Sequence, residues 1–304
     1  MNRMTTPVTR REFSTALAAT ALLPRLAPAQ TAAAPAIVTR AIPRTGERLP
    51  VVGLGTASVF NRDDEPTRRA AAQVVQTLVE AGGRLIDTAS SYGAAESVLG
   101  QVIAAGALRD KVFLATKLEA PDATELQGSL ARLRMAKVDL LQLHNVRDAR
   151  QSLAQFRAWK AQGLCRYIGI TSTYHGDFAA LEAVLGREKP DFVQIDYSLD
   201  NRLAQERILP LAAEVGAGVL TALPFGRARL FRAVRGKQIP DWAQEFAGSW
   251  AQFFLKYLLA DERVTAVIPG TSDAAHMADN LGAIRGRLPD AQQRARMVAF
   301  VNGL

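Results

Sequence analysis

Four side chains near the predicted ends of three successive strands have the types and spacing needed for acid–base chemistry. They are Asp87 and Tyr92 in RLIDTASSYG, Lys117 in KVFLATK and His144 in VDLLQLH. Each strand is a short apolar run that closes on a polar, titratable residue, so these side chains can face one pocket. A tyrosine beside a lysine suits proton donation, because a nearby cation favours the phenolate and lowers the tyrosine pKa. The pattern predicts acid catalysis on a carbonyl group.

Reducing a ketone or aldehyde requires a hydride on carbon and a proton on oxygen. Side chains supply no hydride, so the reaction needs a nicotinamide or a flavin. In this scheme Tyr92 donates the proton, and Lys117, held in position by Asp87, makes that proton easier to release. His144 hydrogen-bonds the carbonyl oxygen and orients it. Taken singly, each residue has an ordinary structural explanation, and only their combination favours catalysis.

Other chemistry has less support in the sequence. The single cysteine, Cys165, excludes an intramolecular disulfide, and its place at the start of the apolar run CRYIGITS predicts a buried, inert thiol. A metal-dependent barrel hydrolase that uses Asp87 and His144 is an alternative to carbonyl reduction. The remaining histidines, His175 and His276, give no H-x-H or H-x-x-x-H pair with His144 or with each other, and this spacing argues against a metal site.

Length and composition indicate a globular protein. The 304 residues can hold one large α/β barrel or two ordinary domains, and a hydrophobic share of 48% is ample for a core. The net charge is +8, but residues 1–29 contribute +3 of it, with four arginines against one glutamate. The other basic residues alternate with acidic ones along predicted helices. Without a dense basic patch interleaved with aromatics, we expect no nucleic-acid partner.

The first 29 residues have the three regions of a bacterial export signal. TRREF (9–13) contains the pair Arg10-Arg11, a mildly apolar stretch covers 14–23, and Ala27-Pro28-Ala29 forms an A-x-A cleavage site before Gln30. The apolar part is too short to span a membrane stably. The paired arginines resemble the twin-arginine signal, which predicts recognition by that export machinery and a periplasmic protein. The alternative is a disordered basic tail. Residues 30–37 then form a linker.

Residues 38–304 alternate between apolar runs and amphipathic stretches, after a predicted hairpin of AIVTR and RLPVVGLGT. The predicted strands are VVGLGT, RLIDTA, KVFLAT, VDLLQL, RYIGIT, FVQIDY, GVLTAL and VTAVIPG. The predicted helices are PTRRAAAQVVQTLVEAGG, ESVLGQVIAAG, TELQGSLARLRM, ARQSLAQFRAWKAQG, NRLAQERILPLAAEVG and DWAQEFAGSWAQFFLKYLLAD. Near-continuous apolar strands flanked by helices are typical of parallel sheets. Eight such units predict a single-domain (β/α)₈ TIM barrel, whose chemistry gathers at the C-terminal strand ends.

Over roughly residues 38 to 285 the sequence resembles the aldo-keto reductase family. The motifs are GLGTA, LIDTASSYG, the lysine of LATK, DLLQLH, YIGITS, VQIDYSLDNR and IPGTSDAAHMADNLGA. By this resemblance, Asp87, Tyr92, Lys117 and His144 correspond to the family's catalytic tetrad. The resemblance also implies the barrel fold and NADPH, or less often NADH, as the cofactor.

The resemblance implies contacts around the nicotinamide as well. Gly55 and Thr56 correspond to the first-strand loop near the nicotinamide ribose. Ser172 and Gln194 correspond to the residues that hold the carboxamide, while Thr173 stands where the family often has asparagine. In the seventh strand, alignment on the proline of LTALPFG places Ala222 where the family usually has an aromatic ring that stacks on the nicotinamide.

The phosphate and adenine contacts match the family less closely. Phe225 and Gly226 would begin the loop that covers the pyrophosphate, and Phe225 could supply the missing ring. A helix is predicted just after Gly270-Thr271-Ser272, and its free amides suit a phosphate. Members preferring NADPH commonly have lysine and arginine at the positions of Gly270 and His276. Thr271, Ser272 and His276 therefore remain for a 2′-phosphate, and Asn280 would face the adenine.

The sequence thus predicts an NAD(P)H-dependent oxidoreductase that reduces aldehydes or ketones, with NADPH favoured and NADH as the alternative. A second reading is an exported nucleotide-binding sensor or accessory module of the same fold with little turnover, because the periplasm is not expected to recycle NADPH. Short loops after the strands predict an open pocket for a small carbonyl compound. Val59, Phe60 and the segment Phe225–Phe231 are predicted to form its apolar contacts.

Overall fold

The computed structural model describes residues 36–146 and 149–304. The predicted export signal, including Arg10 and Arg11, and the predicted linker up to residue 35 lie outside the described residues. In the described part of the chain, no helix combines the length and apolar character required to cross a membrane.

A two-stranded hairpin precedes the main sheet. Strands β1 (Thr39–Ala41) and β2 (Arg48–Pro50) pair antiparallel. This confirms the predicted hairpin, although its second strand ends at Pro50 and the first strand of the main sheet begins only at Leu54. Ile42 and Leu49 are fully buried and pack with inward-facing side chains of the main sheet. The hairpin therefore covers the end of the sheet at which the parallel strands begin.

Eight parallel strands form the main sheet, and each pairs with its neighbour in sequence. They are β3 (Leu54–Gly55), β4 (Leu85–Asp87), β5 (Phe113–Leu118), β6 (Val138–His144), β7 (Cys165–Ser172), β8 (Phe192–Asp196), β9 (Gly218–Ala222) and β10 (Ala266–Val267). Parallel bridges join Val52 to Val267 and Gly55 to Gly270, so the first and last segments of the sheet meet. The predicted (β/α)₈ barrel is confirmed.

Helices connect the strands and cover the outside of the sheet. They are α1 (Glu65–Glu80), α2 (Ala95–Ala105), α3 (Ala123–Leu133), α4 (Ala149–Ala161), α5 (Phe178–Glu188), α6 (Ile208–Val215), α7 (Arg229–Ala233), α8 (Trp250–Leu259), α9 (Ala274–Leu281) and α10 (Ala291–Asn302). Short 3₁₀ turns lie at Arg109–Lys111, His175–Asp177, Leu203–Gln205, Asp241–Ala243 and Gly282–Ile284. No helix was predicted for the segments that form α5, α7 and α10.

Two predicted helices begin later than their patterns indicated, and each has a local cause. The pattern over residues 201–216 gives α6 only from Ile208, because Pro210 lacks an N–H and is tolerated only in a first turn. The pattern over 241–261 gives α8 only from Trp250. The Ser249 side chain accepts the N–H of Gln252 there, and this cap fixes the start of the helix.

An aromatic layer fills the inside of the barrel. The ring centroids of Phe113, Tyr167 and Phe192 lie 5.6–6.2 Å apart, in contact with the hairpin residues. A second apolar layer lies between the strands and the helices. Cys165, at the start of β7, belongs to this outer layer, and burial raises the pKa of its thiol to about 12. Apolar packing thus occupies the lower and outer parts of the barrel and leaves the C-terminal strand ends for polar residues.

Candidate active site

A cleft of about 510 Å³ opens at the C-terminal ends of the barrel strands. The four side chains predicted to act in acid–base catalysis all line it. Asp87 is the last residue of β4, Lys117 lies one residue before the end of β5, and His144 is the last residue of β6. Tyr92 lies in the loop that follows β4. Because neighbouring parallel strands end at one edge, the fold brings together groups that are far apart in sequence.

Lys117 is the buried cation of the site, with 1% of its side chain exposed. Its Nζ donates to Asp87 Oδ2 over 2.5 Å and to the Thr88 carbonyl oxygen over 2.9 Å. Burial alone would lower the pKa of Lys117, but Asp87 and Tyr92 outweigh it and hold that pKa above its ordinary value. The ammonium therefore stays charged at neutral pH.

Tyr92 places its ring beside this ammonium, with Lys117 Nζ 4.9 Å from the ring centroid. Burial raises the pKa of Tyr92, and the opposing charge of Lys117 does not cancel that increase. Lys117 lowers the pKa of Tyr92 as predicted, but burial raises that pKa by more, because removing the phenolate from water costs more free energy than the nearby ammonium gains. The phenol keeps its proton at neutral pH, as a proton donor must.

His144 stands edge-on to Tyr92, with ring centroids 5.6 Å apart. Its Nδ1 lies 2.5 Å from Oε1 of Glu119, the residue that directly follows β5. Burial and the charge of Lys117 lower the pKa of His144, and Glu119 opposes them only in part. The imidazole is therefore neutral at neutral pH. No motif drew attention to Glu119, although a charged residue two positions after a candidate catalytic lysine is a visible signal.

Two buried amides complete the hydrogen bonding of Asp87. Gln142 Nε2 donates to Asp87 Oδ1 over 3.2 Å and to Gln194 Oε1 over 2.9 Å, and Gln194 Nε2 donates to Asp87 Oδ2 over 3.3 Å. Sequence reasoning missed Gln142. It precedes His144 by two residues on β6 and so shares its face of the strand. That period-two relation was the available signal.

The structure brings some of the predicted cofactor residues to the cleft and leaves others away from it. Those that line the cleft are Gly55, Thr56, Ser172, Gln194, Phe225 and Gly270. Those that do not are Gly226, Thr271, Ser272, His276 and Asn280. Thr271 and Asn280 are buried, whereas Ser272 and His276 are exposed around the start of α9.

The start of α9 differs from the expectation of free amides. Asp273 is the N-cap residue, and its Oδ1 accepts the backbone N–H groups of Ala275 and His276. The side chain of Asp273 therefore already occupies the position that was predicted to suit a phosphate. Ser172 is also engaged, since its hydroxyl donates to Asp177 Oδ2 over 2.9 Å.

The loop after β9 forms one lip of the cleft and has an unusual backbone. Leu223, Arg227 and Ala228 have φ values of 53°, 52° and 65°, in the left-handed region that non-glycine residues rarely adopt. Phe225 lies within this loop and packs on Phe231, with ring centroids 4.8 Å apart. Arg227 lines the cleft; it belongs to the segment Phe225–Phe231 that was predicted to form apolar contacts, and the prediction did not include a role for its charge.

The apolar wall of the cleft agrees with the prediction in part. Val59, Phe225 and Phe231 line it. Phe60 does not, because its ring is fully buried in the layer between strands and helices. Ala222 lines the cleft at the end of β9, three residues before the ring of Phe225.

Acidic, histidine and cysteine side chains form no metal-ligand cluster of three or more in residues 36–146 and 149–304. His175 lies outside the cleft lining, where its Nε2 is 3.1 Å from Asp196 Oδ2 and 2.8 Å from Asn201 Nδ2.

Comparison with known proteins gives consistent matches. The model of the aldo/keto reductase family matches residues 51–299. Methylglyoxal reductase YeaE of Escherichia coli is 27% identical over 256 residues, which cover 80% of this chain and 88% of that protein. The uncharacterized oxidoreductase YrpG of Bacillus subtilis is 28% identical, with 79% of this chain and 89% of that protein covered.

Solved structures share the fold. An aldo-keto reductase from Klebsiella pneumoniae in complex with NADPH matches with a TM-score of 0.75 at 23% identity, covering 88% of this chain and 95% of that one. An aldo/keto reductase from the same organism in complex with NADP and acetate matches with a TM-score of 0.73 at 25% identity, covering 84% and 93%.

Proposed function

Because the chain belongs to the aldo/keto reductase family, we propose that it reduces aldehydes or ketones to alcohols with NADPH and uses Tyr92 as the proton donor. The family makes it an NAD(P)-dependent oxidoreductase that acts on carbonyl compounds. One observation supports the proposal that Tyr92 is the proton donor. The buried ammonium of Lys117 lies between the carboxylate of Asp87 and the ring of Tyr92, on the wall of the cleft.

Tyr92 performs the proton transfer in this proposal. Its phenol holds a proton at neutral pH and hydrogen-bonds the carbonyl oxygen of a substrate in the cleft. When the proton moves to that oxygen, the phenolate left behind faces Lys117, whose charge stabilises it. Asp87 keeps the ammonium in place, and the amides of Gln142 and Gln194 hold Asp87.

The residues around the cleft fit a nicotinamide dinucleotide, which when bound supplies the hydride. Ser172 and Gln194 line the cleft, and because their hydroxyl and amide already donate to Asp177 and Asp87, it is their oxygens that can accept from a carboxamide N–H. Gly55 and Gly270 keep the wall between β3 and β10 free of side chains, and Arg227 offers a guanidinium to a phosphate. The Klebsiella pneumoniae proteins of the same fold that contain NADPH or NADP support NADPH as the favoured cofactor.

Replacing Tyr92 by phenylalanine tests the proposed donor. We expect Tyr92→Phe to lower steady-state NADPH oxidation with an aldehyde panel by at least about 10²-fold, the usual size of a general-acid contribution. Nucleotide affinity, measured by fluorescence titration, should stay within a few-fold, because the substitution removes only one hydroxyl. Tyr174→Phe is the matched control, since Tyr174 is 69% exposed.

Two outcomes would contradict the proposal. Unchanged turnover in Tyr92→Phe would exclude this phenol as the acid. Tight NADPH binding by the unmodified protein with at most one turnover per chain would instead favour the nucleotide-binding sensor or accessory module.

A further inference from the structure

The loop after β9 and helix α7 carry an unbalanced positive charge. Between Glu214 and Asp241 the chain contains no acidic residue, yet residues 227–237 contain four arginines and one lysine. This run departs from the alternation of basic and acidic residues along the predicted helices. Its single aromatic residue, Phe231, distinguishes it from a nucleic-acid surface, which interleaves several rings with the charges. The five basic side chains are all exposed: Arg227, Arg229, Arg232, Arg235 and Lys237.

A carboxylate neutralises only one of these five charges in the part of the chain that the structure describes. Arg229 Nε donates to Asp200 Oδ2 over 2.9 Å, and the two side chains form an ion pair. Four uncompensated cations remain on one short segment. We call them the basic rim, and its members are Arg227, Arg232, Arg235 and Lys237.

The basic rim begins in the wall of the cleft. Arg227, Ala228 and Phe231 line the cleft. Arg232 Nη1 donates to the carbonyl oxygen of Arg227 over 3.4 Å, which places a second guanidinium against the same lip. An α-helix rises about 1.5 Å per residue, so the five residues of α7 span only about 7.5 Å. This length is comparable with the Debye length of about 10 Å at 0.1 M salt, so the charges act together on an anion at the mouth.

Other positions around the cleft offer an anionic ligand little charge. Among the described residues that line the cleft, Lys117 and Arg227 are the only cations, and Lys117 is committed to Asp87. Residues 268–284 contain no lysine or arginine, and Asp273 occupies the first amides of α9. NADPH differs from NADH by one phosphate group, which carries about 1.5 to 2 negative charges at neutral pH. The basic rim is therefore the positive surface on which that extra charge can act.

We propose, resting on the proposed function above, that the basic rim is an electrostatic capture surface that speeds the association of NADPH with the cleft. It also favours NADPH over NADH, because the attraction grows with the charge of the ligand. Long-range attraction raises the concentration of an anion near the mouth before any contact forms. It therefore changes the association rate constant kon, whereas the dissociation rate constant koff depends on the contacts within the cleft.

Stopped-flow fluorescence of NADPH binding, without a carbonyl substrate, tests this surface. The triple variant Arg232→Gln, Arg235→Gln and Lys237→Gln removes three charges and keeps Arg227. We expect its kon to fall about tenfold at roughly 10 mM salt, the lower end of steering effects, while koff stays within about twofold. At roughly 1 M salt the Debye length is about 3 Å, so the difference from the unmodified protein should disappear.

The same experiment with NADH tests the dependence on ligand charge. At low salt the ratio of kon for NADPH to kon for NADH should exceed one in the unmodified protein. In the triple variant this ratio should fall towards one, because the extra phosphate then meets less positive charge.

Two control variants separate charge from shape and from position. Arg232→Lys combined with Arg235→Lys keeps every charge and should keep kon. A second triple variant removes the same number of exposed charges near the starts of β5 and β6, at the opposite end of the barrel, and it should keep kon within about twofold. Its substitutions are Lys111→Gln, Arg134→Gln and Lys137→Gln.

The outcomes separate the two proposals. Absence of both NADPH binding and NADPH-dependent aldehyde reduction in the unmodified protein would overturn the proposed function and this inference with it. Reduction at saturating NADPH would sustain the proposed function. An unchanged kon in the rim variant at low salt, an equal loss in the variant at the opposite end, or equal kon for NADPH and NADH in the unmodified protein would then overturn this inference alone.

Discussion

At the scale of single residues, the site is organised around one buried ion pair. An ammonium and a carboxylate removed from water are expensive to bury, and they are tolerated when they pair closely and their remaining hydrogen-bonding capacity is met. Lys117 and Asp87 meet this condition through the 2.5 Å contact, the Thr88 carbonyl and the two glutamine amides. The ammonium of Lys117 is therefore held in place beside Tyr92, where it can stabilise the phenolate that forms when the phenol releases its proton.

Lys117→Met should lower turnover by orders of magnitude, because the phenolate of Tyr92 loses its supporting cation. In the unmodified protein the pKa of Tyr92 is raised above the ordinary 10.0, so activity should hold through neutral pH and decline only at more alkaline pH. Without the ammonium that alkaline decline should move further upward in any residual activity. Steady-state rates across pH measure both effects.

Lys111→Met provides the matched control for this variant, since Lys111 is an exposed lysine just before β5. Circular dichroism should accompany the rates, because the substitution leaves Asp87 buried without its cation. Full activity in folded Lys117→Met, with an unshifted pH profile, would remove Lys117 from the mechanism.

The sequence allowed the residue types at the site to be predicted, but not the net effect of burial and neighbouring charges on their pKa values. Asp87, Tyr92, Lys117 and His144 could be selected because each closes an apolar run. The net direction of the Tyr92 pKa could not, because it depends on how much water the packed loops exclude. Glu119 could not be assigned a role either, since its importance arises from a contact with a residue on a different strand.

At the scale of elements, the barrel depends on close approaches between helices that only glycine permits. On α2, a Cβ built on Gly100 would lie 2.3 Å from the carbonyl oxygen of Arg132 on α3. On α5, a Cβ on Gly186 would meet only ordinary contacts, with Leu211 at 3.8 Å. One glycine is thus required by packing, whereas the other merely weakens its helix.

This contrast gives a paired prediction. Gly100→Ala should lower the free energy of unfolding by about 1–3 kcal/mol, because α2 and α3 must separate. Gly186→Ala should raise it by up to about 1 kcal/mol, because alanine favours the helix and meets no obstacle. Urea denaturation measures both values. Equal effects from the two substitutions would contradict the packing described between α2 and α3.

Elements were predictable where the pattern was continuous. All eight barrel strands follow from apolar runs, since strands covered on both faces need no polar alternation. Helix starts at Ile208 and Trp250 were missed because one proline and one capping serine override an otherwise helical pattern. Helix α10 was missed because it buries little, with Met297 its only fully buried residue among those described.

At the scale of the whole molecule, the two ends of the barrel have different roles. The hairpin of β1 and β2 covers the N-terminal end, where Glu47 pairs with Arg166 and accepts from Tyr167. The cleft occupies the other end, in agreement with the placement predicted from the fold class. Closure of the sheet could be predicted from the eight alternating strand and helix units. The position of the hairpin over the N-terminal end of the barrel could not, since its two strands carry no motif.

We propose that the first 29 residues direct twin-arginine export to the periplasm. Replacing Arg10 and Arg11 together by lysine should leave a precursor in the cytoplasm, because the paired guanidinium groups are the recognised feature of such signals. Cell fractionation and mass spectrometry of the N-terminus measure the outcome. Arg25→Lys keeps the pair and serves as the control. Undiminished periplasmic accumulation of the double variant would indicate another route.

The left-handed backbone conformation of Leu223, Arg227 and Ala228 affects how the loop after β9 responds to a bound ligand. Each such residue raises the conformational energy by roughly 1–2 kcal/mol over a relaxed backbone. Contacts of Phe225 with Phe231 and Phe254 restrain the segment while it is in that state. A ligand whose binding allowed this segment to return to an ordinary backbone conformation would gain that energy as part of its affinity, in addition to its own contacts. Replacing these residues by glycine, which adopts positive φ values without that energy cost, would remove this contribution to ligand affinity.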